Sequence, residues 1–148
     1  MAETLGSLCD KLTIVKLKQF HTSDPEKLDS LGKQEDQLEN EIDNFLAGAL
    51  SGDIPADRLV FASNKVFKKE GNQVAEVRGN VGEVFSQLAE VNCKLWHEQE
   101  KVYEFERVPV AEKDRVVKQL ALLNLQRNKC IDQIDRNLQE QVKRKLSG

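Results

Sequence analysis

Arginine and asparagine stand where this chain should be oily. At roughly 100° per residue on a helix, Arg127 falls inside the apolar arc of a C-terminal amphipathic segment, between Leu123 and Ile134. Asn92 and Gln99 fall on the apolar centre of the segment before it, and Lys16 and Glu35 lie inside the apolar faces of two earlier segments. An unpaired guanidinium is strongly disfavoured away from water, so Arg127 requires partners. Two arrangements supply them. In one, Arg127 pairs with Glu35 and bonds to Asn92, with Gln99 beside them, as a polar core that sets helix register. In the other, Lys16, Asn92 and Arg127, with the neighbouring Asn124 and Asn128, line an interhelical cleft for an anionic or sugar-like ligand. The residues admit both.

Other constellations are thinner. Cys93 and His97 are four apart and could share a metal, but they lie on a polar helix side, in a chain with two histidines and no CxxC pair. No metal site is expected, and the same count disfavours a Cys/His nucleophile. The acidic stretch from Glu35 to Asp43 resembles the EExxE magnesium motif of helical nucleotide pyrophosphatases, but Asp36 replaces the second glutamate and no suitable ExxD follows. It reads as a solvated helix face. Gly79-Asn80-Val81-Gly82 lacks the lysine of a phosphate-binding loop, which excludes P-loop chemistry. No catalytic residue and no cofactor follow from the motifs.

The elements that must position these residues are helices. Apolar spacing predicts them over about 4–21, 25–50, 56–64, 81–106 and 110–144. The first carries Leu5, Leu8, Cys9, Leu12, Val15 and Phe20 on one wide face, with Ile14 and Leu17 opposite, so it should be central. Ser23-Asp24-Pro25-Glu26 supplies a cap, a first-turn proline and a carboxylate for the second helix, and Ser51-Gly52 ends it. Val84, Leu88, Val91, Leu95 and Val102 form a seam on the fourth. Pro109 opens the last helix, which packs antiparallel to its predecessor across a short turn. Residues 53–80 are the least regular, with a small irregular or hairpin insertion expected near 65–78 around Gly71-Asn72. The fold class is therefore all-α, an antiparallel up-and-down helical bundle with two long C-terminal helices.

Composition agrees. A chain of 148 residues is sized for one domain, here 1–148, and needs neither disulfide nor metal to bury a core. With 39% hydrophobic and 32% charged residues and three prolines, it is folded and charge-coated. The net charge of −3, with signs interspersed, gives no field for nucleic acid or an anionic membrane. Three widely spaced cysteines read as reduced, mostly buried thiols of a soluble cytoplasmic protein, and no apolar run nears the roughly 20 residues of a membrane span.

A weak internal repeat aligns Leu12–His21 with Leu88–His97, pairing Lys16 with Asn92 and placing an aromatic before each histidine. It reads as chance or ancient duplication, or as a pseudo-symmetric site. Three stretches also carry a resemblance: Leu8-Cys9-Asp10-Lys11-Leu12-Thr13-Ile14, Val91-Asn92-Cys93-Lys94-Leu95-Trp96-His97, and Leu123 to Asp132 with Asn124-Leu125-Gln126-Arg127-Asn128. Together they resemble a bacterial family of helical proteins, DUF4254, named only as a domain of unknown function, whose hallmark is N-x-x-L-W-H followed by N-x-x-R-N. The similarity covers roughly half the chain. Where that family shows a Glu-Asp pair after the histidine, this chain has Glu98-Gln99-Glu100. The resemblance implies an all-helical fold, a bacterial cytoplasmic setting and a neighbourhood of glycosyltransferases and cell-surface polysaccharide enzymes, with no established activity.

The expected function is a non-catalytic binding or accessory protein, a homodimer, acting on or beside sugar-nucleotide or glycosyl-transfer machinery. One alternative is a small phosphate-handling enzyme in which Arg127 and Lys16 neutralise phosphate and Glu35 or Glu100 is the general base. A second is a structural protein-interaction module.

Overall fold

The first helix, α1 (Leu5–His21), begins where two hydroxyls trade hydrogen bonds. Thr4 Oγ1 accepts from the Ser7 amide at 3.3 Å, and the Thr4 amide donates to Ser7 Oγ at 2.8 Å, satisfying two otherwise orphaned donors. The computed structural model describes residues 2–61 and 76–147. The second helix, α2 (Pro25–Ser51), starts at Asp24, whose carboxylate accepts from the Glu26 amide at 3.0 Å, with proline in the first turn. It ends at Gly52, whose φ of 87° favours glycine. Two more helices follow, α3 (Val81–Tyr103) and α4 (Val110–Ser147). No strand occurs among the described residues.

The helices run alternately up and down, and α3 with α4 makes the most extensive pairing. Leu5 and Cys9 of α1, Val84 and Leu88 of α3, and Cys130, Ile134, Leu138 and Val142 of α4 form one buried cluster, joined by Ala49 from the end of α2. The all-α bundle with two long C-terminal helices is thus the observed fold. Outside its packing on α1, α2 is lightly held, with only Leu31 and Ala49 buried along its length. Among the described residues no helix is long and apolar enough to cross a membrane.

Several boundaries differ from expectation. In place of a helix over 56–64 there is one 3-10 turn, Ala56–Arg58, followed by non-helical Leu59, Val60 and Phe61. Leu59 is fully buried in the core cluster and the Ala56 carbonyl accepts from Gln139 at 2.8 Å, so the chain turns inward at the point where a helix would have carried it away. Residues 62–64, and most of the hairpin expected near 65–78, lie outside the described residues; at the described edge Val77 is buried in the core. α3 stops at Tyr103, and a second 3-10 turn, Phe105–Arg107, leads into α4. Burial on α1 ends at Val15, so Phe20, in the last turn, is 85% exposed instead of joining the core.

Candidate functional site

Along α1 a small and polar stripe runs at i, i+4 and i+7: Gly6, Asp10 and Thr13, all buried. It faces Asp135, Ile131 and Arg127 of α4, read in the opposite direction because the helices are antiparallel. At one end the helices nearly touch. A Cβ on Gly6 would stand 2.4 Å from the Ile131 carbonyl oxygen and 2.9 Å from Asp135 Oδ1, so only glycine allows the approach.

One turn further along, that closeness carries Asp10 to Arg127. The guanidinium grips the carboxylate with a two-point fork, Nε to Oδ1 at 2.8 Å and a terminal nitrogen to Oδ2 at 2.5 Å. Asn92 of α3, fully buried, donates from Nδ2 to Asp10 Oδ1 at 2.9 Å and to Thr13 Oγ1 at 2.6 Å. Thr13 Oγ1 in turn donates to the Asp10 carbonyl at 2.7 Å, leaving its lone pairs for the amide. Both acceptors therefore demand the nitrogen of Asn92, and its Oδ1 is buried with no hydrogen-bond partner among the described residues. The bond to Asp10 holds Arg127 protonated more firmly than an ordinary arginine.

This corrects the pairing expected from sequence. Arg127 is neutralised by Asp10 and not by Glu35. Glu35 instead accepts from Gln19 at 2.7 Å and from Lys16 at 3.0 Å on the α1–α2 surface, and those bonds, Gln19's first, hold its carboxyl below the usual range. A helical wheel gives the angle of a side chain but not which helix faces it, and at the level of Glu35 α2 presents its carboxylate to Lys16 and Gln19 of α1. Lys16 is mostly exposed, so it does not join Asn92 and Arg127, and the repeat that equated Lys16 with Asn92 puts its two members in unlike surroundings. The repeat's ends do meet: the His21 ring stacks on Trp96 at 4.7 Å and 23°.

Arg127 keeps about a third of its side chain exposed, at 33%, and that face lines a cleft of about 200 Å³ between α1, α3 and α4. Ile14, Asn92, Leu95, Trp96, Gln99 and Asn124 complete the lining. Gln99 is exposed at this rim instead of buried in the core, so it is no partner within the polar cluster. Asn128 is tied to its own helix, its amide donating to the Asn124 carbonyl at 2.8 Å. Glu100 is exposed, as are Cys93 and His97 on the same helix. The other two thiols are buried and pushed out of reach of thiolate chemistry: Cys9 up to about 12 by burial and by Asp135 and Asp10, Cys130 up to about 11 by burial.

Asp10 was missed from sequence because a reading by hydrophobicity discards an aspartate as solvent-facing. The signal was its place in the Gly6, Asp10, Thr13 stripe. Asp135, fully buried on α4, was missed for the same reason. It accepts from the Gly6 amide at 2.7 Å while its Oδ2 has no partner among the described residues, and burial pushes its carboxyl up to about 6 against the pull of Gly6 and Thr4.

Comparison with family models, with curated proteins and with solved structures finds no match to this chain.

Proposed function

We propose that this chain is a non-catalytic helical binding protein whose ligand is a small, polar, sugar-like molecule seated in the cleft of Asn92, Trp96, Gln99, Asn124 and Arg127. The observation that carries this is the balance of charge at the cleft wall. Asp10 already offsets the positive charge of Arg127, so what the cleft offers is amide groups, the outer face of a neutralised guanidinium and an indole. Hydroxyls suit the first two and the C–H face of a sugar ring suits the third. Asp10 is committed to Arg127 and Asn92. Of the candidate bases, Glu35 is committed to Lys16 and Gln19, and Glu100 is exposed and does not line the cleft, which weighs against a general base and hence against the phosphate-handling enzyme. The same cluster also sets register among α1, α3 and α4, so the structural role and the binding role share residues.

The resemblance at Asn92, Arg127 and Asn128 supports a bacterial, cytoplasmic setting beside sugar-nucleotide or glycosyl-transfer enzymes. Bare apolar side chains at Phe20, Tyr103 and Val110 support a homodimer.

A thermal-shift screen with sugars, nucleotide sugars and sugar phosphates tests the binding role, with Asn124→Ala and Gln99→Ala as partners to the wild type. Ligand at about a hundred times its Kd adds about 2.7 kcal/mol. A shift with a sugar in wild type that Asn124→Ala loses is the expected result. No shift with any sugar, or a shift that both variants keep, overturns the proposal and leaves a structural interaction module.

A further inference from the structure

A second cleft, of about 450 Å³, opens where α1 turns into α2, and no residue of the Asp10–Arg127 cluster lines it. Its lining joins an apolar surface to positive charge. Leu31, 8% exposed, and the Trp96 indole supply the apolar part. Lys18 and Lys27 supply the charge, with Ser30 and Gln34 as neutral hydrogen-bonding groups and no carboxylate among the described lining residues. Neither lysine makes an ion pair among the described residues, whereas Lys11, Lys16, Lys33, Lys94 and Lys101 are each paired with a carboxylate. The aromatic wall is braced by His21, which also lines the cleft. His21 Nδ1 donates to the Leu17 carbonyl at 2.8 Å, and the ring so held stacks on Trp96.

We infer that this cleft binds a phosphate monoester with a flat apolar body, its dianion between Lys18 and Lys27 and its body against Leu31 and Trp96. Two uncompensated cations match the two charges of the dianion, and an apolar surface beside them rewards an organic ester over the bare ion. The site is independent of the sugar cleft, although both touch Trp96, because different polar side chains form it. It also relocates the anion that the sequence assigned to Lys16 and Arg127, both of which are neutralised by carboxylates.

Trp96 is the chain's one tryptophan, so its fluorescence reads this cleft directly. The full chain is titrated with phenyl phosphate, inorganic phosphate and phenol, followed by emission, in wild type, in the double variant Lys18→Gln/Lys27→Gln and in Asn124→Ala. Phenyl phosphate should give a saturable change, inorganic phosphate a weaker one and phenol none at equal concentration. The lysine variant, with both changes at exposed positions and an unchanged melting temperature, should bind phenyl phosphate at least about tenfold more weakly, while Asn124→Ala binds it as wild type does. No saturable response, equal affinity in the lysine variant, or a loss confined to Asn124→Ala overturns the inference, and the last would return the anion to the Arg127 cleft.

Discussion

Two aspartates are buried in the α1–α4 interface, Asp10 at 4% exposure and Asp135 at 0%, and the fold treats them oppositely. Asp10 is ringed by donors: a two-point guanidinium and the Asn92 amide. Asp135 has the Gly6 amide and Thr4 on one side and an orphaned oxygen on the other, with no cation paired to it among the described residues. A buried carboxylate is tolerated when its partners replace water; otherwise the cost falls on its ionised form. The first aspartate ties three helices together. The second anchors the first turn of α1 at a standing cost near neutral pH.

Breaking the satisfied side should have the largest effect. Asp10→Ala leaves Arg127 without its counter-charge and Asn92 with Thr13 alone, and should lower stability by about 3 kcal/mol by urea denaturation, the low end for a broken buried pair because Arg127 keeps part of its surface in water.

Asp135→Asn should act in the opposite direction. Burial raises the folded-state carboxyl from 3.8 to about 6, so between about pH 4 and pH 6 the native state holds more protons than the unfolded chain. Wild-type stability therefore falls as pH rises through that window and levels off above it. Asparagine imitates the protonated form. The variant should be more stable than wild type at pH 7, on the order of 2–3 kcal/mol, with the difference vanishing below about pH 4. A constant difference across pH would show that Asp135 is not the titrating group.

The close approach that both aspartates depend on can be tested at Gly6. Gly6→Ala drives a methyl against the Ile131 carbonyl, which is backbone and cannot swing aside, and should cost about 2 kcal/mol in the same denaturation assay. The smallest effect belongs to the surface pair. Glu35→Gln loses an ion pair to a mostly exposed Lys16 and should leave the urea midpoint almost unchanged. A loss as large as that of Asp10→Ala would restore Glu35 to the core.

The ends of α2 were legible because they are written in local chemistry: Asp24 as a cap, Pro25 in a first turn and Gly52 at a stop act within a few residues of themselves. Asn92 and Arg127 were legible because a polar residue on an apolar face stands out at helical spacing. Their partner was not, since pairing depends on which helix faces which, and Glu35 and Asp10 are indistinguishable until Glu35 is seen to bond to Lys16 and Gln19 of α1. Leu59 was hidden for a related reason. A single buried leucine after a 3-10 turn has no period, so the stretch resembled the start of another helix.

The central claim is that Arg127 is neutralised within the fold by Asp10, and a double-mutant cycle with Asp10→Ala and Arg127→Leu measures that directly. Each single change should destabilise, and the double variant should recover much of the sum, giving a coupling of about 2 kcal/mol or more. Additive losses, or an Arg127→Leu variant as stable as wild type, would contradict the account and free Arg127 to be the cation that holds a ligand.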